Sequence, residues 1–181
     1  RVAIANGVDY RLQRDTRRLR TWGAPETVID SVRDGDTPSS VPDECPVVPH
    51  ADGDTVAGLE LLHTPGHTQG HLAVASGGVS EGHGSPWGSP DNPTLFVGDL
   101  VLPTYTPNVG GSDTRLADPL TAFLGSLARI EQRISTLATT TARPGHGDSV
   151  PLNSRIGVIR RHHRQRIREV ATVLEEYERV T

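Results

Sequence analysis

The sequence predicts a layered domain of mixed α and β structure. Two observations carry that expectation. Between residues 46 and 101, short β-branched or apolar runs alternate with turn signals. From Asp118 onward, apolar residues instead recur every three or four positions, the period of a helix with one buried face. The 19 glycines and 14 prolines sit in punctuating clusters, and no internal repeat is evident. At 181 residues the chain has room for one domain with a sizeable core.

Taken in order, Asp9 is placed to cap a helix running to about Trp22, with Gly23 as its stop. Ala24-Pro25-Glu26 opens a second helix, whose Val28, Ile29 and Val32 are expected to face inward. Residues 34–46 are polar and proline-rich, and read as loop. Strands are expected at Val47-Val48, Thr55 to Leu62, His71 to Ala75 and Thr94 to Val101, with a tight turn at Asp52-Gly53-Asp54. The stretch 77–93 has little strand or helix character, and loops of that length in a compact domain are usually functional or disordered. Asp118 and Pro119 start the clearest helix, with Phe123, Leu127, Ile130, Ile134 and Leu137 on one side. A short strand is expected over about Thr136 to Ala142. The last helix starts near Asn153 and places Ile156, Ile159, His163, Ile167, Val170, Leu174 and Tyr177 on one stripe. The chain thus divides into a helical and loop segment (1–46), a sheet region (47–150) and a C-terminal helix (151–181).

Composition removes some function classes. All 18 basic residues are arginines, against 22 acidic ones, for a formal net charge of −4. That is no general polycation for nucleic acid. No apolar run approaches the roughly 20 residues of a membrane span, so no membrane partner is expected. The single cysteine, Cys45, permits no internal disulfide and reads as inert, which fits a cytoplasmic location. Methionine is absent and the chain begins at Arg1, so it is expected to be a piece of a longer product.

Three positions share one local design. His67 lies in TPGHTQGH, Asp99 in LFVGDLV and His146 in RPGHGD, each just after an expected strand and each beside glycine. Glycine lets the chain turn sharply and aim the side chain at a point beyond the strand ends. Two imidazoles and a carboxylate suit Zn²⁺, with Fe²⁺ or Mn²⁺ as alternatives. The three are therefore expected to converge within about 8 Å, given ligand bonds near 2.0–2.2 Å. His71, Asp148 and His163 are the candidates to support these ligands from behind. His50, His63 and His83 read as loop or strand-end residues.

With those motifs in place, the stretch from about Thr21 to Glu169 resembles the metallo-β-lactamase-fold hydrolases. It is most similar to the branch of glyoxalase-II-like proteins and the β-lactamase-like protein 2 group. The resemblance implies an αββα sandwich. It also implies that His67 binds a first metal, His146 a second, and Asp99 bridges both, with two zinc ions in a complete site. HHRQRIRE, at 162–169, resembles the basic helix that follows the PGHG loop in the second group. The family's upstream HxHxDH motif, which supplies the other ligands and an aspartate, has no counterpart here. The chain accordingly looks like the C-terminal half of the sandwich. It is expected to bind zinc weakly on its own and to be inactive without its missing half.

The function implied is that of a metal-dependent hydrolase of a thioester, ester or lactone, acting on a small molecule. A glutathione-thioester substrate is disfavoured, because the lysine that family uses has no counterpart in a lysine-free chain. The alternatives are an RNA-processing phosphodiesterase using the arginine-rich helix 155–168, and a non-catalytic fragment or degenerate relative. One face of the sheet is expected to lack cover, to be met by the missing N-terminal half or by a second copy.

Overall fold

The computed structural model describes residues 7–35, 48–76, 93–110, 116–137, 139 and 141–178. Cys45, His83 and Val47, most of the 34–46 loop, and residues 77–92 of the 77–93 stretch lie outside the described residues. The chain forms two compact units, residues 1–49 and 50–181.

The first unit is a helix pair, α1 (Gly7–Thr21) and α2 (Glu26–Gly35). Helix α1 starts two residues before Asp9, so position 9 lies within its first turn rather than at the cap. The stop is as expected. Gly23 adopts φ +77°, while its N–H donates to Arg20 O and that of Ala24 to Leu19 O, closing a Schellman turn. Of the three apolar residues expected inside α2, only Ile29 is buried; Val28 and Val32 are exposed. Among the described residues of the two helices, Thr16 and Ile29 are the buried ones.

The second unit is a six-stranded sheet in the order β1-β2-β3-β4-β5-β6, comprising Thr55–Val56, Leu59–His63, Leu72–Ser76, Leu95–Gly98, Thr141–Pro144 and Val150–Pro151. All neighbours are antiparallel except β4 and β5. The run Thr55 to Leu62 is two strands rather than one. Ala57 (φ 50°) and Gly58 (φ 78°) are both left-handed, which makes a two-residue hairpin turn. Asp52 and Gly53 do form a turn, but Val48 before it is not in a strand.

Parallel pairing of β4 and β5 requires a crossover, and α3 (Pro119–Leu137) supplies it. Asp118 caps it as expected: its Oδ1 accepts from Thr121 N at 2.9 Å, and the Thr121 hydroxyl, followed by this N–H, holds the carboxyl below its usual range. The strand expected at Thr136 begins only at Thr141, because Leu137 continues the buried stripe of Ile130 and Ile134. Packing overrides the strand preference of the threonines there.

Helix α4 (Leu152–Glu178) follows, and α3 and α4 cover one face of the sheet. The core between them joins Leu62, Ala73, Ala75, Leu95, Val97 and Ala142 to Phe123, Leu127, Ile130, Ile156 and Ile159. The expected α4 stripe is buried only in its first half. Ile167, Val170, Leu174 and Tyr177 are exposed. On the other sheet face Leu61, Val74 and Phe96 lie side by side by register, and they are partly buried rather than bare.

Candidate metal centre

Each of the three motif residues follows a strand: His67 four residues after β2, Asp99 directly after β4, His146 two residues after β5. The parallel β4–β5 pair puts two of these ends side by side. The N–H of Gly145 donates to Gly98 O at 3.0 Å, stitching the Asp99 and His146 turns together.

The His67 loop is pinned from α3. Ser126 Oγ donates to Pro65 O at 2.7 Å, and Arg129 Nη1 to His63 O at 3.2 Å. Gly66, at φ 139°, lies so close to Phe123 that a Cβ would collide with its backbone. Only glycine fits that contact.

The result is convergence. Asp99 Oδ2 stands 3.5 Å from His67 Nε2 and 3.5 Å from His146 Nε2. The two ring nitrogens therefore face one carboxylate oxygen at a separation too long for a hydrogen bond of ordinary strength. It matches the spacing of two ligands sharing an ion with bonds of about 2.0–2.2 Å. Among the described residues, no group of three or more His, Cys, Asp or Glu is arranged to hold a metal ion by itself.

Electrostatics favour a cation in that gap. His67 Nδ1 pairs with Asn108 O at 2.8 Å; a carbonyl only accepts, so Nδ1 carries the proton. In the neutral ring Nε2 then has a lone pair aimed at the Asp99 carboxylate. Two acceptors facing one another repel, and a metal ion between them turns repulsion into attraction.

His71 is a strut rather than a ligand. Its Nε2 accepts from the Asp99 N–H at 3.1 Å and its Nδ1 meets Thr64 Oγ1 at 2.8 Å, so both ring nitrogens are used. Burial pushes its pKa down, with the nearby His67 adding to the effect; the neutral ring that accepts from Asp99 N is the favoured form. Gly98 (φ 50°) is what lets the ring approach, since a Cβ there would lie 2.7 Å from His71 Nε2.

The other two expected supports do not reach the site. Asp148 is exposed and makes no hydrogen bond among the described residues. His163 packs edge-on against Phe123, ring centroids 5.5 Å apart, and its buried Nε2 has no partner among the described residues. Among the described residues, neither forms a hydrogen bond or ion pair with His67, Asp99 or His146. His63 Nε2 pairs with Gln69 O and His50 Nδ1 lies 3.5 Å from Asp54, as loop and strand-end residues do.

Sequence reasoning missed Thr64, Asn108 and Ser126. Thr64 had a readable signal, standing before Pro65-Gly66 in the same motif as His71. Asn108 acts through its carbonyl, which every residue possesses, so nothing marked it. Residues 105–109 and His162, His163 and Arg166 of α4 line a groove of about 580 Å³.

No protein-family profile matches the sequence and no curated protein is found similar to it. Solved structures do match. The metallo-beta-lactamase family protein TTHA1429 from Thermus thermophilus is 30% identical, aligned over 87% of this chain and 47% of its own, with a TM-score of 0.58. A beta-lactamase domain protein from Burkholderia ambifaria is 26% identical over 79% of this chain and 39% of its own, with a TM-score of 0.51. The chain spans half or less of the length of these two. Its mixed sheet and four helices are consistent with a metallo-β-lactamase-like fold. The chain belongs to the metallo-β-lactamase-fold superfamily.

Proposed function

We propose that His67, Asp99 and His146 are metal ligands, with Asp99 shared between two ions, in a hydrolase of thioesters, esters or lactones. The observation that supports this most is the placement of Asp99 Oδ2 at 3.5 Å from both imidazole nitrogens. Two nitrogens and a carboxylate suit zinc, with iron or manganese as alternatives. Such ions, when bound, supply a hydroxide nucleophile near neutral pH and polarise the scissile carbonyl.

The chain's own residues do the positioning. Asn108 O fixes the His67 tautomer, His71 holds the Asp99 main chain, and Gly145 N–H ties the His146 turn to β4. TPGHTQGH and PGHG support the glyoxalase-II-like or β-lactamase-like protein 2 branch and, with it, a cytoplasmic enzyme; no helix among the described residues is long and apolar enough to cross a membrane.

The phosphodiesterase reading rests on α4, and three of its arginines are already engaged. Arg155 donates to Leu102 O, Arg160 pairs with Glu131 and Arg166 with Glu169. The ester and thioester reading is therefore preferred.

Three residues serving two ions fall short of the three or four ligands a zinc ion normally takes. Titration calorimetry with Zn²⁺ is expected to show weak binding by this chain, abolished in Asp99→Ala. Zinc binding of equal strength in the variant would overturn the assignment.

A further inference from the structure

We infer that Gly145 is the positioning residue for the Asp99 carboxylate: the space left by its missing side chain holds that group between the two imidazoles. The inference rests on the ligand roles proposed for His67, Asp99 and His146. It starts from register. Strands β4 and β5 run parallel with Gly98 opposite Pro144, so the residues that follow, Asp99 and Gly145, leave the sheet side by side. The Gly145 N–H donates to Gly98 O at 3.0 Å and keeps the two turns together.

The backbone itself does not demand glycine here. Gly66, Gly98 and Gly147 have φ between 50° and 139°, where side chains are disfavoured, but Gly145 is not among the positive-φ glycines. The neighbour demands it. A Cβ on Gly145 would overlap Asp99 Oδ1 and lie 3.5 Å from Asp99 Cγ, while the nearest main-chain atom, Gly98 C, would be 3.3 Å away. The main chain nearly accommodates a methyl group; the carboxylate does not.

The two carboxylate oxygens belong to one rigid planar group, so the seat of Oδ1 against Gly145 sets where Oδ2 stands. Oδ2 is the atom 3.5 Å from both His67 Nε2 and His146 Nε2. His71 accepts from the Asp99 N–H at 3.1 Å, which fixes the main chain and leaves the side-chain torsions free. Gly145 limits those torsions. Metal–ligand bonds vary by only about 0.2 Å, and withdrawal of Oδ1 from a Cβ takes more than that. Alanine therefore misplaces the ligand rather than unfolding the chain, since Oδ1 ends a side chain that can turn.

Zinc calorimetry and carboxyl carbon resonances of the whole chain test this. Gly145→Ala is expected to lower zinc affinity at least about tenfold with native helical circular dichroism. Gly125→Ala, in α3 where a Cβ meets nothing within 4 Å, is expected to leave affinity unchanged. Without metal, the Asp99 side-chain carboxyl carbon resonance should move in Gly145→Ala and stay in place in Gly125→Ala. That resonance reads the contact even where Asp99→Ala binds zinc like the wild type, an outcome that would sink the ligand assignment alone. Should Gly145→Ala unfold, removal of the carboxylate in G145A/D99A is expected to restore the fold. Full zinc affinity in Gly145→Ala beside a weakened Asp99→Ala, an unmoved carboxyl resonance, or no rescue of an unfolded variant would each overturn the inference.

Discussion

The two histidine arms of the site are held very differently. His67 is 28% exposed, its Nδ1 is tied to Asn108 O, and its loop is clamped by Phe123, Ser126 and Arg129 of α3. His146 is 66% exposed, and its ring has no hydrogen bond among the described residues; only the main chain of its turn is tied, through Gly145 to Gly98. Asp99, 25% exposed, stands between them, its backbone held by His71. Under the proposed assignment, one arm would be set by the protein before an ion binds, while the other would be ordered by the ion. Preorganisation lowers the cost of binding on the first arm only.

The largest expected effect comes from the residue both arms share. Loss of a mere supporting residue costs roughly 10–100-fold in metal affinity, so Asp99→Ala should cost about 100-fold or more by calorimetry. Retained affinity at either arm would break the idea of a shared carboxylate.

Next is the clamp on the held arm. Gly66→Ala forces a Cβ into the Phe123 backbone at a φ that alanine avoids, and is expected to destabilise the fold by about 2–4 kcal/mol in urea unfolding. A change below about 0.5 kcal/mol would show that the His67 loop is not clamped.

His71→Ala leaves the ligands in place but removes the acceptor for Asp99 N. Metal affinity should fall about tenfold while the far-ultraviolet dichroism stays native. Unchanged affinity would return His71 to a purely structural role.

The smallest effect concerns pH. Burial holds the His163 pKa below the ordinary value of about 6.5, with His162 adding to the effect. The unfolded chain therefore takes up the proton first, and stability falls as pH drops below about 6.5 toward the lower folded value. His163→Phe, which keeps the contact with Phe123, should flatten that part of the profile; an unchanged slope would assign it elsewhere.

What was legible in the sequence was mainly local. TPGH, VGD and PGHG each encode a turn through glycine, so the strand-end placement of His67, Asp99 and His146 could be read, and the structure brings the three together. The α3 start was legible for the same reason, since Asp118 and Pro119 act within one turn. The supports were not. His71 reaches Asp99 only because the β3–β4 register sets the ring beside Gly98, and Asn108 contributes a carbonyl. Thr136 was misread because strand preference is local, whereas the burial of Leu137 is decided by the core. Periodicity found the α4 stripe but could not tell where the sheet beneath it ends.

The most direct test is to follow imidazole nitrogen resonances by long-range proton–nitrogen correlation during a zinc titration. The account predicts that Nε2 of His67 and of His146 both shift, with the His67 Nδ1 proton visible before zinc is added, and that Asp99→Asn weakens both responses together. Shifts confined to other histidines such as His63 or His162, or a response at one arm that ignores Asp99→Asn, would contradict it.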